Sequence, residues 1–205
     1  MATVRLSVGE KLLLLAVDRR RGRLVSPLRL ACCTVGAELA RLSAAGAVHH
    51  DATGLRPTAA LAGVLRDPAG IAATLAALPA PVRPAEVVLY CHIRAAADLG
   101  RQLAERSVLD LVEVRRYRRI RTHYAIADEN ALHQALADAW RVSWADPAHA
   151  DEEDVVFGGL IHLAGLDAVV PDSLDGGART RLKEYSTRHW ACLAVRRALT
   201  ELTSM

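Results

Sequence analysis

Aromatic side chains are scarce in this 205-residue chain: phenylalanine, tryptophan and tyrosine together make up 4%, with a single phenylalanine. A core built on large rings is therefore excluded, and the apolar interior has to come from leucine, valine and alanine. That composition favours helix. Cysteine is also sparse. Cys32, Cys33, Cys91 and Cys192 form no CxxC pair, and adjacent Cys32 and Cys33 suit neither a disulfide nor a zinc site. With no signal peptide in view, they read as small buried apolar residues in a reducing cytoplasm. Long uncharged apolar runs are missing too. KLLLLAV (11–17) is too short to span a bilayer, and the run 30–48 carries Glu38 and Arg41. Any membrane contact is therefore expected to be peripheral.

Catalytic signatures are also lacking. No GxSxG, HExxH or phosphate-binding loop occurs, and DGG (175–177) is a lone turn. His49 and His50 precede Asp51 without a third ligand at metal spacing, and DEED (151–154) reads as an acidic helix start. The expectation is a protein that is not an enzyme and uses no cofactor or metal.

Against these absences stands one concentrated feature. EVRRYRRIRTHY (113–124) places five arginines in seven positions, from Arg115 to Arg121. The net charge is only +3, but residues 101–125 carry seven arginines against three acids, a net +4. Residues 126–167 carry nine acids against Arg141 alone, a net −8. Such a polarised distribution suits an oriented contact with an anionic partner.

Hydrophobic content of 52% fits one globular domain over residues 1–205. Ser7 and Glu10 form a capping-box pattern ahead of a first helix in 6–18. A turn and short strand are expected at 19–25, and a strong helix at 28–46 is stopped by Gly46. A short strand and loop follow at 47–58, so the N-terminal part resembles a winged helix. Helices are expected at 67–78, with Asp67 as cap and Pro68 in the first turn, and at 85–107. Residues 108–114 and 117–126 are rich in β-branched and aromatic side chains and predict a β-hairpin turning near Arg115 and Arg116. Helices capped by Asp128 (128–146) and led by acids (151–170) come next, then a loop and terminal helices over 171–204. The whole is mainly α, about ten helices with one protruding basic hairpin. Trp140 and Trp144, four residues apart on one helical face, are expected in the core, as is Trp190. His162 and His189, on apolar helical segments, are expected to be packed or surface histidines.

The order of the pieces resembles the Golgi phosphoprotein 3 family. LSVGEKLLLLAVDRRRG resembles that family's opening helix and charged turn. LGRQLAERSVLDLVEV…RTHYAIADENALHQAL resembles its helix, basic hairpin and capped helix, and DEEDVVFGGLIHLAGLDAVV a later apolar helix. The resemblance covers nearly the whole chain, by pattern more than by identity. It implies a non-catalytic, phosphoinositide-binding peripheral membrane protein, cytoplasmic, with a protein client and with self-association through the hairpin. It also implies a headgroup pocket of one tryptophan and several arginines. Here the tryptophan position falls at Ser26 or Pro27, the next arginine at Val35, and two helix arginines at Ile93 and Ala96, with Arg94 one position from Ile93.

Two functions are thus in view. The first is a membrane adaptor contacting anionic lipid headgroups through Arg94, Arg115, Arg116, Arg118, Arg119 and Arg121, with Tyr117 and Ile120 as the inserted tip or a self-association surface. The alternative is a nucleic-acid binder using the winged-helix-like part and the arginine hairpin. It is the weaker reading, because the 28–46 helix carries only Arg29 and Arg41 as cations.

Overall fold

The computed structural model describes residues 5–64, 70–116, 119–169 and 177–204. The side chains of residues 115–120 are not among what it describes.

Helix α1 (Val8–Leu15) starts where the capping box says it should. Ser7 Oγ accepts from the Glu10 amide at 3.3 Å, and the Ser7 amide donates to Glu10 Oε2 at 2.7 Å. From Gly9 to Leu15 every residue is buried. A helix buried all round sits in the middle of its neighbours. It packs against α2 (Pro27–Ala44), α4 (Pro84–Glu105), α5 (Glu129–Trp144) and α6 (Glu152–Ala164). Between α1 and α2 a two-stranded ribbon pairs β1 (Val17–Asp18) with β2 (Arg23–Leu24).

Pro27 opens α2, a position where its missing N–H costs nothing. Most of α2 is buried, from Leu30 to Leu42 with only Arg41 exposed between them. A second ribbon follows, β3 (Val48–Asp51) with β4 (Gly54–Pro57), and Val82 bridges to Leu55 just ahead of α4. Helix α3 spans Ile71–Ala77 with Gly70 in the N-cap position. This shortens the expected 67–78 helix, whose proposed cap, Asp67 with Pro68, lies outside the described residues. The third ribbon, β5 (Leu109–Arg116) with β6 (Arg119–Ile126), joins α4 to α5. Helices α7 (Gly177–Tyr185) and α8 (Trp190–Thr203) complete the bundle.

The described residues thus hold eight α-helices and three two-stranded ribbons, a mainly α fold, where one hairpin was expected. Asp128 caps α5 as expected, and of the acids that lead α6 it is Asp151 that caps it, each side chain accepting from first-turn amides. Helix α6 ends sooner than expected, at Ala164, because Gly165 takes the left-handed conformation (φ 72°).

The packing of α6 depends on Gly158 and Gly159. A Cβ on Gly158 would stand 2.6 Å from the Tyr185 ring, and one on Gly159 would stand 2.9 Å from the Ser186 backbone. Tyr185 is fully buried against this face, and its hydroxyl donates to the Ala145 carbonyl at 3.3 Å. All four cysteines are buried and free, as expected; burial pushes the Cys32 thiol up to about 11 and Cys192 up to about 12. Gly159→Ala is expected to lower stability by about 1–3 kcal/mol, because backbone blocks the new methyl. Urea unfolding checks this; an unchanged midpoint would contradict the packing.

A pH dependence is built into the start of α8. His189 Nδ1 accepts from the Ala191 amide at 3.1 Å, and Nε2 faces Glu152 Oε1 at 3.0 Å. The cap needs the neutral ring. Burial holds the His189 imidazole below its ordinary value, against the opposing pull of Glu152. His50, stacked on Trp190 at 4.4 Å, is lowered the same way. The unfolded chain therefore takes up these protons first. Stability is full above the ordinary imidazole value of about 6.5 and falls as pH drops below it. Denaturant midpoints from pH 7.5 to 5 should decline. His189→Asn keeps a capping side chain and should flatten that decline.

Candidate functional site: the basic hairpin

The β5–β6 ribbon is longer than expected. Its register pairs Leu109 with Ile126 and runs without a break to Arg116 opposite Arg119. The strands therefore still pair at Arg115 and Arg116, where the turn was expected. Neither arginine is a turn former, and the ladder simply continues through them. Tyr117 and Arg118 lie outside the described residues. Arg115, Arg116, Arg119 and Ile120 are strand positions whose side chains are not described. Arg121 is exposed and lies opposite Val114.

The two ends of the ribbon differ. At the base, Leu109 is buried, and Tyr124 and Ile126 pack on the core. Burial pushes the Tyr124 phenol up from its ordinary value. Farther out, Val112 (54% exposed), Glu113, Val114 (38% exposed), Arg121 and Thr122 are all exposed. Successive residues of a strand point to opposite faces. Exposure on both faces means the outer half stands clear of the domain. From Val112 to Arg116 it extends about 14 Å at strand rise.

Three contacts brace the base. The Tyr124 ring lies over Gly100 of α4, where an added Cβ would stand 3.2 Å from Cε1. On the other side, the Tyr124 amide donates to the Gly22 carbonyl at 3.0 Å. Gly22 belongs to the turn between β1 and β2, where the Asp18 carboxylate accepts from the Arg20 and Arg21 amides. Arg19 reaches from the same turn to Glu129 of α5 at 2.5 Å. The charged RRRGR stretch (19–23) is thus a support for the hairpin, a role that its composition does not signal.

The pocket implied by the resemblance is not assembled. Val35 is fully buried in the core. Ile93 is 79% exposed on α4, beside exposed Arg94 and Tyr90. Ser26 is the left-handed N-cap of α2 and Pro27 its first residue. The structure gathers the hairpin arginines on one element, while Arg94 stands on another, six residues or about 9 Å along α4 from the Gly100–Tyr124 contact. A cavity of about 820 Å³ lies between α1, α2 and α4. Its walls are largely small apolar residues, and its Glu10 and Glu38 are paired with Arg106 and Arg41. Among the described residues no three metal-ligating side chains come together, and no helix is long and apolar enough to cross a membrane.

Trp140 and Trp144, expected in the core, are 50% and 42% exposed. Helix α5 turns Ala131, Leu132, Ala135, Ala139 and Val142 inward instead, and the two indoles face out. Trp190 is half-buried and packs against the core. His162 pairs with Asp167 at 2.9 Å.

The family model for Golgi phosphoprotein 3 (GPP34) matches residues 8–202, nearly the whole chain and all of the elements just described. No curated protein matches the sequence.

Gly22→Val tests the brace. Gly22 has φ 61°, and a Cβ there would stand 2.9 Å from His123 Nδ1. The variant is expected to lose about 1 kcal/mol or more and to raise hydrogen exchange at Tyr124 and its strand neighbours about tenfold. Unchanged exchange in β6 would show that the hairpin stands without this support.

Proposed function

We propose that this chain, which belongs to the Golgi phosphoprotein 3 family, is a non-catalytic peripheral membrane protein that contacts anionic lipid headgroups through the β5–β6 hairpin. The observation that carries this reading is a braced ribbon whose arginine-bearing outer half stands clear of the domain. Guanidinium groups match phosphate oxygens in geometry as well as charge. Each cation at an anionic leaflet contributes about 1 kcal/mol, so five supply about 5 kcal/mol. Exposed Val112 and Val114 add apolar surface behind them, and Tyr117 and Ile120 are the residues assigned to the tip. Arg94 serves as a sixth cation, on α4.

Recognition on this reading is of leaflet charge and not of one headgroup's stereochemistry. The positions that would hold a phosphoinositide pocket are a core valine at 35 and an exposed isoleucine at 93. Burial of α2 also weighs against the nucleic-acid alternative, since a recognition helix must offer a free face to a groove. The place of action is the cytoplasmic face of a membrane.

Co-sedimentation with vesicles tests the proposal. Binding is expected with phosphatidylserine in a phosphatidylcholine background and not with phosphatidylcholine alone. Serine at Arg115, Arg116, Arg118, Arg119 and Arg121 should weaken it about 100-fold or more while leaving the fold intact, because exposed charges contribute little to stability. Soluble inositol phosphates should compete poorly. A variant that sediments like the parent, or tighter binding to single-stranded DNA with a steep salt dependence, would overturn this reading.

A further inference from the structure

The outward face of α5 repeats at a spacing that the membrane reading does not use. His133, Ala137, Trp140 and Trp144 are all exposed. They stand four, three and four residues apart, the spacing of a coiled-coil seam. Two half-exposed tryptophans on one seam are a large apolar investment for a free surface.

We infer that this seam is the contact between two copies of the chain, packed antiparallel along α5. The pattern is its own complement. A two-fold axis passing between Asp138 and Ala139 sets Trp140 opposite Ala137 of the second copy, and Trp144 opposite its His133. The large indole meets the small methyl, which lets the helix axes approach to about 8–10 Å. The second indole meets an imidazole ring, an aromatic pair. Each contact is made twice, as a two-fold interface requires. A parallel arrangement would instead set Trp144 against Trp144 and Ala137 against Ala137, a clash beside a gap.

The surroundings are ready for burial. Arg141 is held by Asp154, with Nη2–Oδ1 at 2.7 Å, and Asp138 by Lys11 at 2.8 Å. The charges flanking the seam are thus neutralised inside their own chain, and none has to find a partner across the interface. The Arg181 guanidinium lies 5.7 Å from the Trp144 ring centroid and covers one face of it. That contact holds the indole outward with its other face free.

The area sets the strength. A tryptophan carries about 250 Å² at most, so two half-exposed indoles from each copy bring about 400–500 Å² together. With the histidine, the alanine and the rim, the total stays near or below the roughly 1,200 Å² of a standard stable interface. A weak, reversible dimer follows.

Sedimentation equilibrium of the full chain, from about 1 μM to 1 mM, reads this out. The mass should rise from that of the 22.1 kDa monomer toward twice that value. Trp140→Ser with Trp144→Ser should stay monomeric at every concentration, whereas serine at the five hairpin arginines should dimerise like the parent. A second measurement does not depend on the double variant folding. Ala137→Cys mixed with Trp140→Cys should form a mixed disulfide on mild oxidation, while the four native thiols, all buried, stay silent. A monomer at all concentrations, a dimer that survives loss of both tryptophans or is lost with the hairpin arginines, or cross-linking of Ala137→Cys only to itself would each overturn the inference. So would a tryptophan variant that loses vesicle binding while the parent is monomeric, since the seam would then be a lipid surface.

Discussion

Everything else in the structure is arranged around two opposite charges carried into the core by α1. Glu10 and Lys11 are both buried, on a helix whose other residues from Gly9 to Leu15 are apolar or glycine and buried as well. Each charge is answered from a different part of the chain. Glu10 takes the Ser7 amide and the Arg106 guanidinium; Lys11 takes Asp138 of α5 and Glu153 of α6, with the Phe157 ring 5.4 Å away. Buried pairs of this kind add little net stability, but breaking one strands a charge at a cost of about 3–5 kcal/mol. Their effect is to set register. Arg106 is the C-cap of α4, and the chain leaves it through Ser107, at φ 57°, directly into β5. The Glu10–Arg106 pair therefore fixes where the hairpin emerges.

The same accounting explains the polarised charge of the sequence. The acids between 126 and 167 do not form a free negative face to mirror the arginines. Asp128 and Asp151 cap helices; Asp138 and Glu153 meet Lys11; Asp154 meets Arg141; Glu129 meets Arg19; Glu152 faces His189; Asp167 faces His162. Most sit at or near helix N-termini, where the macrodipole favours them. The acidic stretch is absorbed into the fold. Of the arginine cluster, Arg121 is exposed on the outer half of the ribbon, with no acid of this stretch paired to it.

What could be read from the residues follows this division between local and distant causes. The capping residues Ser7 and Asp128, and the acidic start of α6, act within four positions and were legible. So was the hairpin, from the β-branched density of 108–126, but not its turn, because a ladder can run on through arginines with nothing local to stop it. Short strands were expected at 19–25 and 47–58, but their pairing into ribbons was not, because strands of two and four residues carry too little alternation to show a partner. The tryptophans of α5 misled for a different reason. Spacing of four marks a shared face but not which way that face points. In a chain built on alanine, neighbouring helices come close, and small side chains fill the inner face. Ala131, Ala135 and Ala139 share the inner face of α5 with Leu132, and the two indoles lie on the opposite side. The role of RRRGR in supporting the hairpin rests on a hydrogen bond from Tyr124 to Gly22, about 100 positions away, which no local pattern encodes.

Rigidity at the base bears directly on how a weak attraction becomes useful. A floppy arginine loop would lose backbone freedom of about 1–2 kcal/mol per ordered residue on docking, which would consume most of the roughly 5 kcal/mol that five cations offer at a leaflet. A ribbon already paired to Arg116–Arg119, with Tyr124 between Gly100 and Gly22, has undergone that ordering on folding. On the proposed reading its arginines would then act at nearly their full value. A single such contact still dissociates readily. Two hairpins carried by one α5-linked pair would act at the effective concentration set by their separation, multiplying the affinity without a new lipid contact. Membrane attachment and dimerisation would then reinforce each other, each raising the local concentration the other needs, and neither interface has to be strong alone.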